Sequence, residues 1–163
     1  MVKIIMLGCN GHMGQVISGL VEKDPDAEIV AGIDVADQGK NSYPVYTNME
    51  ECQVEADALI DFSSAKATDA LLAYCEKRHL PVVLCTTGLS EEQLAKVEET
   101  ARNVAVLKSA NMSLGINTLM KLLQDAAKVL ATAGFDIEVV EKHHRLKLDA
   151  PSGTALALAD SIN

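Results

Sequence analysis

Strand-length apolar runs separated by amphipathic stretches place the strongest constraint on this chain. VKIIML opens it, EIVAGI, ADALIDF, PVVLCT and VAVL follow, and helical patterns fill the intervals from Gly11 to Lys23, from Lys66 to Arg78 and from Ser90 onward. A run that is apolar throughout, rather than at every second residue, belongs to a strand covered on both faces. Such strands alternating with helices predict an α/β fold, a doubly wound parallel sheet whose ligand lies beyond the carboxyl ends of its strands.

After Asn111 the texture changes. SLGINTLMKLLQDAAKVLATAG predicts one long helix, with Leu119, Leu122, Leu123, Ala126, Ala127 and Leu130 as its apolar stripe and Gly134 at its end. FDIEVVE reads as a strand feeding HHRLK, and Ser152 as the cap of a helix running from Gly153 to Ile162. The expected units are therefore 1–110 and 111–163, the second being the start of an α+β domain. No repeat or low-complexity linker separates them, so they are expected to be closely joined.

With 48% hydrophobic residues, the 163-residue chain can build a packed core. A net charge of −9 argues against nucleic-acid or anionic-membrane partners, which select basic surfaces. Cys9, Cys52, Cys75 and Cys85 show neither a CxxC pair nor zinc-ligand spacing, the pattern of a reduced cytoplasmic protein. No signal sequence opens the chain and no apolar run has membrane-spanning length, so a soluble protein is expected. Aromatic residues amount to 3% with no Trp, which argues against base-stacking platforms.

GCNGHMG follows the first strand and leads into a helix. Glycines there allow a tight turn and let backbone N–H groups approach a pyrophosphate at the helix N-terminus. The spacing of Gly8, Gly11 and Gly14 is GxxGxxG, a departure from GxGxxG, but Asp34 at the end of the second strand supplies the acidic residue a dinucleotide site needs for its ribose. An anion there disfavours a 2′-phosphate, and Val35, not an arginine, follows it. The reading leans toward NADH. Lys40 or Lys66 could still reach a phosphate and keep NADPH open. CTTG from Cys85 and SANMS from Ser109 end later strands, on the edge where a nicotinamide would lie.

EKHHRLKLDAPSGTA concentrates positive charge in an acidic chain. Neighbours on a strand point to opposite faces, so His143 and His144 are poorly placed to share a metal, and no metal site is expected; His143, Arg145 and Lys147 would share a side if the chain stays extended. A histidine and a lysine together suit proton donation to an anionic substrate, and the helix opened by PSGT offers N–H groups to a carboxylate.

This segment, E-x-H-H-x-x-K-x-D-A-P-S-G-T-A, resembles the signature of the 4-hydroxy-tetrahydrodipicolinate (dihydrodipicolinate) reductase family. GCNGHMG is similar to that family's GAxGRMG, and DFS at Asp61, CTTG and SANMS fall in the same order, so the likeness runs from the first strand to the last residue. The resemblance implies a Rossmann-like first domain and a second domain that binds substrate and forms a homotetramer. His143 would be the acid/base residue and Lys147 the proton donor, with His144 and the backbone of Gly153 and Thr154 on the carboxylates of a cyclic dicarboxylic imine. Gly8, Cys9, Asn10, Gly11, His12, Met13, Asp34, Cys85, Thr86, Thr87, Ser109, Ala110, Asn111 and Met112 would contact NADH or NADPH. The implied reaction is reduction of that imine in the diaminopimelate and lysine pathway.

Family members continue past the point where this chain stops, so the second domain is expected to be partial. An inactive fragment or a non-catalytic NAD(H)-binding module would account for the glycine loop and Asp34 but leaves HHRLKLDAPSGT without a task. A reductase acting on an inositol or a semialdehyde lacks the two-carboxylate grip. His79 reads as a surface or cap residue, and the Cys9 side chain as a small filler of the loop.

Overall fold

The structure is a computed structural model that describes residues 1–109, 111–145, 147 and 150–163; Ala110, Leu146, Leu148 and Asp149 lie outside the described residues. Met1–Ser109 and Ala110–Asn163 are separate compact units. In the first, β1 (Val2–Leu7), α1 (His12–Val21), β2 (Ala27–Ile33), β3 (Val45–Tyr46), β4 (Ala58–Asp61), α2 (Thr68–Arg78), β5 (Val82–Leu84), α3 (Glu91–Thr100) and β6 (Val106–Lys108) follow in order, strands and α-helices alternating as the apolar runs predict except where β2, β3 and β4 succeed one another. The sheet is wholly parallel in the order β3-β2-β1-β4-β5-β6. Strand order reverses direction between β1 and β4, the switch point where an open α/β sheet takes its ligand.

The core is built from the strands' continuous apolar runs: Ile5, Leu7, Ala31, Ile33, Leu59 and Leu84 are buried, joined by Leu71, Leu72 and Tyr74 from α2. Ser90 caps α3 in a reciprocal capping box with Gln93, and His79 is the C-cap of α2 at φ 50°. At the edges the apolar pattern fades. The two-residue β3 carries no periodic signal and was not expected from the sequence, while Leu107 on edge strand β6 is 58% exposed.

The second unit consists of α4 (Leu114–Leu130) and α5 (Gly153–Ile162), which pack on each other. Ser113 and Ser152 cap them by accepting from the N–H groups of Ile116 and Ala155. The predicted strand FDIEVVE is absent: 135–141 carries no strand, and Phe135, Ile137, Val139 and Val140 are exposed. A strand exists only where a neighbour completes its hydrogen-bond ladder. Among the described residues of this unit nothing supplies one. For the same reason Leu119, Leu122 and Leu130 of the α4 stripe stay exposed. No described helix is long and apolar enough to cross a membrane.

Candidate functional site

In the first unit the polar residues singled out by the sequence fall at the carboxyl ends of the strands. β1 runs into Gly8 at φ +81°, and a Cβ there would stand 2.6 Å from the Phe62 carbonyl oxygen, so glycine alone lets the exits of β1 and β4 lie together. Gly14 is buried in the first turn of α1, where a Cβ would run into the Gly8 carbonyl and lie 2.7 Å from the Cys9 Cα. Gly11 is the N-cap and offers no side-chain cap, and His12 and Met13 are exposed on the opening turn. A cradle that side chains would fill, at an uncapped helix N-terminus, fits a dinucleotide pyrophosphate. Cys9 contributes only backbone to it: the side chain is fully buried, and burial, followed by the nearby Asp34 charge, pushes the thiol up to about 11.

Asp34 is tied to this loop. Its Oδ2 accepts from the Asn10 N–H at 2.8 Å, and Oδ1 from the Val35 N–H at 2.7 Å. A belt of amides binds the loop after β2 to the glycine loop: Asn10 Nδ2 donates to the Ala36 carbonyl, Asn41 Nδ2 to Asn10 Oδ1, and Gln15 Nε2 to both Asn41 Oδ1 and the Cys9 carbonyl, at 2.6 to 2.9 Å. The Asp34 carboxylate is thereby held in a fixed place relative to the glycine loop.

After β5, Cys85 and Thr86 are buried and Thr87 is exposed. Burial and the neighbouring Asp61 push the Cys85 thiol up to about 11, which marks it as a packing residue. Asp61 is itself fully buried at the end of β4; its Oδ1 accepts from the Ser63 N–H and hydroxyl at 2.9 and 2.5 Å. Among the described residues, Asp61 Oδ2, Thr68 Oγ1 and Thr86 Oγ1 are buried without a hydrogen-bond partner, and Asp61 and Thr86 stand at this carboxyl edge. Ser109 follows β6, its N–H donating to the Leu84 carbonyl at 3.1 Å; Ala110 lies outside the described residues.

The remaining candidates belong to the second unit. Met112 is exposed, and Asn111 Nδ2 donates to Thr154 Oγ1 at 3.0 Å, which joins a residue expected on the dinucleotide to one expected on the substrate. The described residues of the basic segment form no strand. The Lys147 N–H donates to the His144 carbonyl at 3.1 Å across a turn, so the strand-like alternation that would set His143, Arg145 and Lys147 on one side is lost. Glu141 and Ser152 close the segment: Glu141 Oε1 accepts from the Ser152 N–H at 2.8 Å and Oε2 from its hydroxyl at 2.6 Å. These bonds, the side-chain one foremost, with His143 and Lys147 adding their charge, hold the Glu141 carboxyl below its ordinary value. His143 Nδ1 lies 3.4 Å from Glu141 Oε2. Gly153 and Thr154 are half-buried in the first turn of α5.

Sequence reasoning passed over several of these residues. Glu141 stood in the quoted signature, and Asp61 in DFS, without an assigned role. Gln15 follows the last glycine of the loop. Asn41 carries no local signal, because its partners are distant in the chain.

Two family models match: "Dihydrodipicolinate reductase, N-terminus" over residues 2–112 and "Dihydrodipicolinate reductase, C-terminus" over 115–163. A 4-hydroxy-tetrahydrodipicolinate reductase of Caldanaerobacter subterraneus subsp. tengcongensis is 52% identical over 100% of this chain and 64% of its own length. One from Clostridium tetani is 48% identical over 99% of this chain and 63% of its own. Among solved structures, the dipicolinate-bound dihydrodipicolinate reductase of Paenisporosarcina sp. TG-14 superposes with TM-score 0.76 at 29% identity, covering 99% of this chain and 65% of that one. The scyllo-inositol dehydrogenase of Lactobacillus casei, at 14% identity and TM-score 0.60 over 79% of this chain and 43% of its own, shares the fold alone. The chain thus spans a little under two thirds of the length of these reductases, 64% of the first. Matched along both units, it belongs to the dihydrodipicolinate reductase family.

Proposed function

We propose that the chain carries the chemistry of a 4-hydroxy-tetrahydrodipicolinate reductase: reduction of a cyclic dicarboxylic imine to tetrahydrodipicolinate with NADH or NADPH, in the cytoplasm, as a step of diaminopimelate and lysine synthesis. The observation that carries this reading is the pair of hydrogen bonds by which Glu141, at the start of the basic segment, is held on Ser152 at the N-terminus of α5. That arrangement suits a substrate bearing carboxylates, and the Paenisporosarcina relative binds dipicolinate.

In this reading residues 1–110 bind the dinucleotide, and 111–163 form part of a substrate-binding and tetramerisation domain whose exposed apolar residues meet further protein in the homotetramer. The amides of α1 and the Gly8–Met13 loop hold the pyrophosphate and Asp34 the ribose, with 85–87 and 109–112 toward the nicotinamide. The residues described above fit that group, which when bound supplies the hydride. The protein supplies grip and proton. His144 and the Gly153 and Thr154 amides hold the carboxylates, each charge-assisted hydrogen bond contributing about 1.5 to 3 kcal/mol. Lys147 delivers a proton to the ring, and His143 serves as the acid/base group beside it.

Asp34 without a following arginine favours NADH, and the amide belt is what keeps that carboxylate in place. Asn41→Ala removes two links of the belt and is expected to weaken NADH binding about fivefold to tenfold, the worth of one or two hydrogen bonds. Fluorescence titration with NADH and NADPH checks this.

The function is tested by steady-state reduction of freshly generated 4-hydroxy-tetrahydrodipicolinate, using the 163-residue chain and a version extended to its relatives' length. Turnover, together with inhibition by pyridine-2,6-dicarboxylate, is expected of the extended form. NADH binding without turnover or dicarboxylate binding would instead identify a non-catalytic dinucleotide module.

A further inference from the structure

A carboxylate beside an anion-binding segment weakens that segment by like-charge repulsion unless it serves another purpose. Glu141 is such a group: a side chain 27% exposed at the start of the basic run. Its two oxygens are not idle. Oε1 takes the Ser152 N–H, and Oε2 takes the Ser152 hydroxyl while lying 3.4 Å from His143 Nδ1. Ser152 is buried, and its Oγ also accepts from the Ala155 N–H at 3.1 Å, so the grip on Ser152 is a grip on the first turn of α5. One oxygen atom therefore stands between the helix cap and the imidazole.

We propose that Glu141 is a positioning residue of this site, fixing the His143 imidazole and the N-terminal turn of α5 relative to each other through a single carboxylate. With Nδ1 turned to the carboxylate, Nε2 is the ring nitrogen presented to a substrate. With Ser152's amide taken up by Glu141, the Gly153 and Thr154 amides are the next ones along for the substrate carboxylate. This inference rests on the reductase reading above.

The test is a double-mutant cycle between Glu141 and His143, with Ser152→Ala beside it, in the family-length chain, with kcat and KM for the cyclic imine and Kd for NADH measured in each variant. Glu141→Gln keeps an oxygen for the Ser152 N–H and removes the charge; it is expected to lower kcat about 10- to 100-fold, the usual effect of losing a residue that orients a reacting one. KM should move much less than kcat, and NADH binding should not change. In a His143→Ala background the same substitution should cost no more than about twofold, because residues acting through one another are non-additive. Ser152→Ala removes the hydroxyl that Glu141 grips and leaves the charge beside His143, so it should lower kcat about threefold to tenfold. This keeps the test open if Glu141→Gln does not fold. An unchanged kcat in Ser152→Ala, or a full Glu141→Gln penalty on top of His143→Ala, overturns the proposal while leaving the reductase intact. A wild-type chain that binds NADH and never turns over brings down the reductase reading, and this inference with it.

Discussion

Lys147→Ala and His143→Ala, made in the family-length chain, are each expected to lower kcat for the cyclic imine by about 10² to 10⁴-fold, the range that positioned proton transfer contributes. NADH affinity should be unchanged in both, since the dinucleotide is assigned to other residues. The two substitutions differ in their second effect. If Lys147 also grips a carboxylate, its loss removes a charge-assisted hydrogen bond of about 1.5 to 3 kcal/mol, and KM for the substrate rises along with the fall in kcat. A histidine that only passes a proton leaves KM in place. Steady-state kinetics with both variants, and dipicolinate Kd as a check on binding, therefore separate donor from holder. Two variants that retain wild-type kcat would remove the assigned acid/base pair.

Gly14→Ala is expected to abolish dinucleotide binding and to destabilise the chain by about 3 kcal/mol or more, as forced overpacking against backbone does. The added methyl meets the Gly8 carbonyl and the Cys9 backbone, neither of which can swing aside as the end of a flexible side chain can. Relief requires α1 to move off β1, and that shift dismantles the cradle. Gly19 on the same helix is the control. Nothing lies within 4 Å of its would-be Cβ, and Gly19→Ala should stabilise by about 0.5 to 1 kcal/mol through helix propensity. Thermal unfolding and NADH titration of the two variants give the comparison. Equal behaviour would mean that the close approach at Gly14 is not what shapes the loop.

The parallel sheet was legible because its signal is local and repeated. VKIIML, EIVAGI and ADALIDF announce strands buried on both faces, and Ser90 marks the start of the helix after PVVLCT. The glycine loop was legible for a similar reason, since the spacing of Gly8, Gly11 and Gly14 and the position of Asp34 are all counted along one chain. What failed depended on partners. FDIEVVE has strand composition and no ladder among the described residues; the turn from His144 to Lys147 broke an alternation that assumed extended backbone. The amide belt could not be read either, because Asn41 meets Gln15 and Asn10 across 26 and 31 positions of sequence. The contact of Glu141 with Ser152 was hidden by their eleven-residue separation, though both stand in one quoted motif.

The thiols divide the molecule in a useful way. Cys9, Cys52, Cys75 and Cys85 are all buried in the sheet unit, and burial pushes Cys75 up to about 12, while residues 110–163 contain no cysteine. Alkylation proceeds through the thiolate, so these groups react only when the sheet unit opens. Labelling rates are therefore a clock for the breathing of the sheet half alone, set without introducing a probe and blind to whatever the helical half does.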